Sequence, residues 1–193
     1  MNQKRVFIIH GWAGHPQENW FPWLKRKLER HGVQVTVPAL PNPTNPEMSE
    51  WVSAIAQVVG QPDENTFLVG HSLGCIAILR YLEGLPAGQK VGGAVLVAGF
   101  SESIGIPEIK SFFVTALDYQ KVKNTCSTFI AVNSTTDPFV PLEKGTVLRD
   151  KLSAELIVVP DAGHLNQESG FLKLPIILKK IVEVARLKKW FWF

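Results

Sequence analysis

Apolar residues along the chain fall into short continuous runs separated by longer segments of helical period. Val6–His10, Val33–Val37, Asn65–Val69, Val91–Ala98, Thr128–Val132 and Glu155–Val159 read as strands. Between them, Trp20–His31 carries Trp20, Trp23, Leu24 and Leu28 on one face and Lys or Arg on the other, the mark of an amphipathic helix. Glu47–Val59, Leu73–Leu82, Leu142–Leu152 and Leu174–Lys189 read as further helices. Pro38–Pro46 holds four prolines and is a loop. Ser101–Val122 is less regular and ends in a polar helical stretch. The strand runs are mostly continuous rather than alternating, so they predict burial on both faces of a parallel sheet. Strand–helix alternation then predicts a three-layer, doubly wound α/β fold of about six strands with helices on both faces. In such a sheet ligands sit beyond the carboxyl ends of the strands, so chemistry is sought in the residues that follow each strand.

Composition narrows the picture only a little. The 193 residues fit one domain spanning 1–193, with 173–193 as a terminal basic amphipathic helix and aromatic tail. Two cysteines, Cys75 and Cys126, are too few for a disulfide framework or a four-cysteine zinc site. The apolar run Val6–Ile9 is too short for a signal core, and no spanning segment is visible, so a cytoplasmic location is expected. A net charge of +3 does not argue for nucleic acid. No metal or organic cofactor is expected.

The first chemical signal follows the third strand. Gly70-His71-Ser72-Leu73-Gly74 places a serine on a sharp strand-to-helix turn, with its hydroxyl presented at the top of the sheet. A serine hydroxyl needs a base to become nucleophilic. Of the five histidines, only His164 lies C-terminal to Ser72, in the loop after the last strand. The acid belongs after another strand between them. Asp137, in Asn133–Pro138, fits better than Asp161, which is placed to shape the His164 turn, or than Asp118 and Asp150. The order serine, acid, histidine is that of the α/β hydrolases. After the first strand, His10-Gly11-Trp12-Ala13-Gly14 can supply one oxyanion donor from Trp12 N–H, with Leu73 N–H as the other. Such a site performs acyl transfer, and its activity is expected to rise with pH as the base loses its proton.

His10, Gly11, His71, Phe100, Phe139 and Leu165 sit at strand ends and are candidates to line a substrate pocket. Ser101–Leu117, with Ile104, Ile106, Ile109, Phe112 and Phe113, reads equally as core or as a small apolar flap over Ser72. Cys75, one turn past the serine, reads as a buried helix residue. The C-terminal Lys179, Lys180, Arg186, Lys188, Lys189 and Trp190–Phe193 could touch a membrane surface, although folding back on the body or a dimer contact is the commoner use of such a tail.

Together the stretches 10–24, 37–52, 68–74 (LVGHSLG), 133–141 (NSTTDPFVP) and 162–171 (AGHLNQESGF) resemble the small retinoblastoma-binding-protein-9-like serine hydrolases of the α/β-hydrolase superfamily. The resemblance implies a minimal fold with a short or absent lid. It also implies Ser72, Asp137 and His164 as a catalytic triad and carboxylesterase-like hydrolysis of a small ester or acyl substrate. The same triad would serve an amidase or peptidase, and the scaffold could instead serve as a protein-binding module with weak or no turnover. The pocket-protein-binding member carries L-x-C-x-E, which is broken here at Ala77.

Overall fold

The computed structural model describes residues 3–187. Six strands form one sheet in the order β2-β1-β3-β4-β5-β6, every neighbouring pair parallel. They are β1 (Arg5–Ile9), β2 (Gln34–Thr36), β3 (Thr66–His71), β4 (Gly93–Val97), β5 (Phe129–Ser134) and β6 (Glu155–Val159). The helices are α1 (Phe21–Glu29), α2 (Met48–Val59), α3 (Leu73–Glu83), α4 (Tyr119–Thr125), α5 (Leu142–Leu152) and α6 (Pro175–Val184), with a 3-10 helix at Pro107–Phe113. This is the minimal α/β-hydrolase fold expected from the sequence.

Alternation within the strands divides the core in two. Phe7, Ile9, Leu68, Leu96 and Ala131 point to the face covered by α2, α3, α4 and α5. Val6, Ile8, Val69, Val95 and Val132 point to the face covered by α1 and α6. The central strands β1, β3, β4 and β5 are buried on both faces, which is why their sequences read as continuous apolar runs. The edges depart from that pattern: Gln34 of β2 and both Glu155 and Val158 of β6 are exposed. At the β6 edge Lys180 Nζ meets Glu155 at 2.6 Å.

Two helix ends differ from the sequence reading for identifiable reasons. Trp20 is the residue before α1 rather than its first turn, and Pro22 occupies the opening turn, where a missing N–H costs nothing. The terminal helix stops at Val184, not Lys189. Arg186 adopts φ 49°, and its N–H and that of Leu187 donate back to the Glu183 and Val182 carbonyls. That pair of bonds is the Schellman termination, here built on an arginine instead of the glycine that would have announced it. The basic aromatic tail from Lys188 onward lies outside the described residues. None of the described helices is long and apolar enough to cross a membrane.

The chain runs from β1 outward to β2, then returns to place β3 on the other side of β1. This reversal opens a crevice beyond the carboxyl ends of β1 and β3, where the α/β rule places a ligand. Residues 10–14 and Ser72 sit there.

Candidate active site

Ser72 follows β3 directly and precedes the first residue of α3, with φ 54° and ψ −121°. Non-glycine residues avoid this left-handed region at a cost of about 1–3 kcal/mol, and such strain persists only where the surroundings enforce it. Here Ser72 N–H donates to the Val97 carbonyl at 2.9 Å, and its own carbonyl accepts from Cys75 N–H at 2.9 Å. The turn also needs its neighbours to be small. A Cβ on Gly74 would stand 2.3 Å from the Ile9 carbonyl oxygen, so only glycine lets α3 pass this close to β1. A Cβ on Gly11 would stand 3.1 Å from Cβ of Ser72, which fixes how tightly the loop after β1 can close on the serine.

Asp137 and His164 meet. Nδ1 of His164 and Oδ2 of Asp137 are 2.7 Å apart, and the aspartate side chain is wholly shielded from solvent. The other carboxylate oxygen, Oδ1, accepts the N–H groups of Phe139 (2.9 Å) and Val140 (3.0 Å). Burial alone would push this carboxyl up. The His164 hydrogen bond and charge, with the two amides, outweigh it and hold Asp137 below the usual aspartate range. The carboxylate therefore stays ionised and keeps an Nδ1–H on the imidazole, leaving Nε2 free to act as acceptor.

The rival carboxylates lie elsewhere. Asp161 is exposed at φ 51°, and its backbone N–H donates to Thr135 Oγ1, so it shapes the turn. Asp118 caps α4 by accepting the Lys121 N–H, and Asp150 pairs with Arg149 on the surface.

A cavity of about 580 Å³ lies over these residues. Ser72, Leu73, Gly11, Trp12 and His164 line its floor. Phe100, Ile104, Ile106, Ile109 and Phe139 give one apolar wall, while Gln17, Glu18, Asn166 and Gln167 give a polar one. The 101–117 segment thus does both jobs open in the sequence. Phe112 and Ile109 are buried in the core, and Ile104, Ile106 and Ile109 face the cavity. Arg80 anchors this wall from beneath, donating from Nε to the Phe112 carbonyl at 3.0 Å, from Nη2 to the Thr115 carbonyl and from Nη1 to Glu83 at 2.8 Å.

Of the six residues expected to line the pocket, Gly11, His71, Phe100 and Phe139 do so; His10 and Leu165 do not. His10 is buried beneath the β1 loop, where Nδ1–H donates to the Gly11 carbonyl at 2.8 Å and Nε2 accepts the Leu40 N–H at 3.2 Å. Both ring nitrogens are taken, and burial lowers the pKa, so His10 is a neutral brace between two loops. Leu165 belongs to the core on the face covered by α1 and α6 and is fully buried. Being next to a site residue in sequence does not place a side chain in the cavity. Trp12 is partly exposed, with its indole N–H donating to the Thr44 carbonyl at 3.0 Å. That bond, with Ala13 N–H to Pro43 at 2.7 Å, ties the loop after β1 to the proline-rich segment.

Sequence reasoning missed the residues that hold the histidine loop. Thr135 Oγ1, Ser134 Oγ and Thr136 Oγ1 accept the N–H groups of Asp161, Ala162 and Gly163 at 3.0, 3.0 and 3.3 Å. The hydroxyls preceding Asp137 therefore form a ladder that docks the His164 loop onto the Asp137 loop. Cys75 is buried as expected, its thiol pushed up by burial. Among the described residues, no three His, Cys, Asp or Glu side chains group as a metal site requires.

A parallel six-stranded sheet with a strained serine at its central turn and an acid–histidine pair at its far strands defines an α/β hydrolase. The serine hydrolase family matches residues 6–183, and the chain belongs to that family. It is 37% identical to YdeN of Bacillus subtilis over 175 residues, covering 90% of this chain and 92% of that one. It is 29% identical to the serine hydrolase RBBP9 of Rattus norvegicus over 169 residues, covering 86% and 88%. The crystal structure of the B. subtilis ydeN gene product superposes with a TM-score of 0.92 at 34% identity, covering 95% of this chain and all of that one.

Proposed function

We propose that this hydrolase cleaves small carboxylic esters through an acyl-enzyme on Ser72. Ser72 Oγ attacks the ester carbonyl carbon while its proton passes to His164 Nε2. Asp137 holds the imidazole in the receptive tautomer and offsets the charge of the imidazolium. The carbonyl oxygen becomes an oxyanion, which the N–H groups of Trp12 and Leu73 receive. Leu73 opens α3, where the first N–H groups of a helix have no intrahelical acceptor. The tetrahedral intermediate then collapses. The C–O bond to the alcohol breaks, His164 returns the proton to the leaving oxygen, and the acyl group remains on Ser72. Water attacks that ester with its proton going to His164, and the carboxylic acid leaves as Ser72 recovers its hydrogen.

The carrying observation is that His164, held by Asp137 at 2.7 Å, lines the same cavity as the strained Ser72. The apolar wall of Phe100, Ile104, Ile106 and Ile109 favours an alkyl or aryl acyl group over a charged one. A p-nitrophenyl ester chain-length series, run beside aminoacyl anilides, tests the reading. Ester turnover above anilide turnover, abolished by Ser72→Ala together with fluorophosphonate labelling, is expected. Equal labelling of wild type and Ser72→Ala would refute it.

A further inference from the structure

We propose that His71, the residue before the nucleophile, is the positioning residue that sets His164 against Ser72. This inference rests on the proposed role of His164 as base.

His164 sits in a loop whose next residue, Leu165, adopts φ 53°, a conformation that a leucine does not hold unaided. The amide side of the loop is held by hydroxyls: those of Ser134, Thr135 and Thr136, and Ser169 Oγ, which accepts the His164 N–H at 3.1 Å. The carbonyl side is held from the opposite direction. His71 Nε2 lies 3.0 Å from the His164 carbonyl, and Trp20 Nε1 donates to the Leu165 carbonyl at 3.0 Å. A carbonyl only accepts, so His71 must carry its proton on Nε2. Two consecutive carbonyls flanking the strained torsion are thus clamped by two ring N–H groups.

His71 is buried, and its ring packs edge-on against Trp20, Phe21 and His164, with the His164 centroid 4.9 Å away. Burial, with His164 next to it, lowers its pKa to about 3, so the ring is neutral and the donor does not change over the working pH range. The consequence is geometric. His71 is covalently joined to Ser72 and hydrogen-bonded to the backbone of His164. One residue therefore ties the serine directly to the backbone of His164, while Asp137 holds the rotation and tautomer of the imidazole. Misplacing a reacting group by about 1 Å can cost on the order of 100-fold in rate.

Three variants test this by steady-state kinetics on a short p-nitrophenyl ester, beside thermal melts. His71→Phe keeps an aromatic ring but removes the donor, and His71→Gln places an amide N–H near the position of Nε2. His71→Asn is equally polar but one methylene too short. A positioning role predicts that Phe and Asn lower kcat by about 10- to 100-fold with KM within about twofold. It predicts that Gln recovers kcat to within several-fold of wild type. The rate of fluorophosphonate labelling of Ser72 should follow the same order. If His71→Phe does not fold, the Gln–Asn pair decides alone. Unchanged kcat in Phe or Asn, or Gln as impaired as Asn, overturns the proposal. His164→Ala separates the two readings. If it retains wild-type turnover, the proposed mechanism fails and this inference with it. If it is inactive while His71→Phe turns over normally, only the positioning role fails.

Discussion

Asp137 and His164 are 27 positions apart in sequence and 2.7 Å apart in space, and the bond between them dictates which imidazole nitrogen can receive a proton. Asp137→Asn keeps the shape of the pair but can put an amide N–H against Nδ1. The imidazole would then carry its proton on Nε2, where it can no longer accept one from Ser72. On the proposed mechanism kcat falls by about 10³- to 10⁴-fold, with KM nearly unchanged. The substitution leaves the Oδ1 bonds to Phe139 and Val140 N–H available, so folding should survive. Stopped-flow release of p-nitrophenol, with circular dichroism as the folding control, measures both.

The elbow makes a prediction about stability rather than rate. Gly74→Ala drives a methyl into the Ile9 carbonyl oxygen, 2.3 Å away, with the His10 carbonyl oxygen at 2.6 Å. Both obstacles are backbone of β1, which cannot rotate aside as a side chain would. Overpacking of this kind costs about 1–3 kcal/mol, which at this chain length lowers Tm by about 2–12 °C. Differential scanning calorimetry checks it; an unchanged Tm would mean that α3 is free to shift from β1.

What the sequence made legible is what it encodes over short range. The elbow is five consecutive residues with a strand before and a helix after, and Ser72 lies where that pattern puts it. Chain order favoured Asp137 over Asp161, and Asp137 is the carboxylate that reaches His164 from the loop of a different strand. The residues that hold the site in place were not legible. The His71 bond to the His164 carbonyl spans 93 positions and the Trp20 bond to the Leu165 carbonyl 145. A tryptophan on an amphipathic stretch looks like core whether or not its N–H has a partner. Local reading failed likewise at Arg186, where the helix-ending bonds close on an exposed arginine in the torsion that usually marks a glycine.

On the proposed mechanism, the apolar wall sets chain-length preference. Ile104 and Ile106 are only partly buried and face the cavity, so enlarging one fills cavity space. Each buried methylene is worth about 0.8 kcal/mol, so kcat/KM of the wild type should rise about fourfold per added methylene until the wall is covered. Ile106→Trp should shorten that rise: hexanoate and longer esters lose about tenfold, while acetate stays within about twofold. A parallel drop across all chain lengths would show that the wall does not contact the acyl group.

Stability should fall on mild acidification, and the sign follows from His71. Its folded pKa is about 3, whereas the free side chain titrates near 6.5. Between those values the unfolded chain binds a proton that the folded chain refuses, so unfolding becomes easier as pH drops. A single such group removes roughly 1 kcal/mol per pH unit. His10, also lowered by burial, acts in the same direction. Asp137 adds its loss only at lower pH, because its depressed carboxyl stabilises the fold above the ordinary aspartate range and stops doing so as it protonates. Urea midpoints at pH 7, 6 and 5 should therefore decline, and His71→Gln should decline less steeply, by up to one proton's worth of slope. The groups that act electrostatically on the His71 ring are His164, Asp137 and His10, all retained in that variant, so the difference in slope isolates His71 itself. Equal slopes for the two proteins would mean that the ring is protonated in the folded state after all, and that its Nε2–H no longer reports a neutral tautomer.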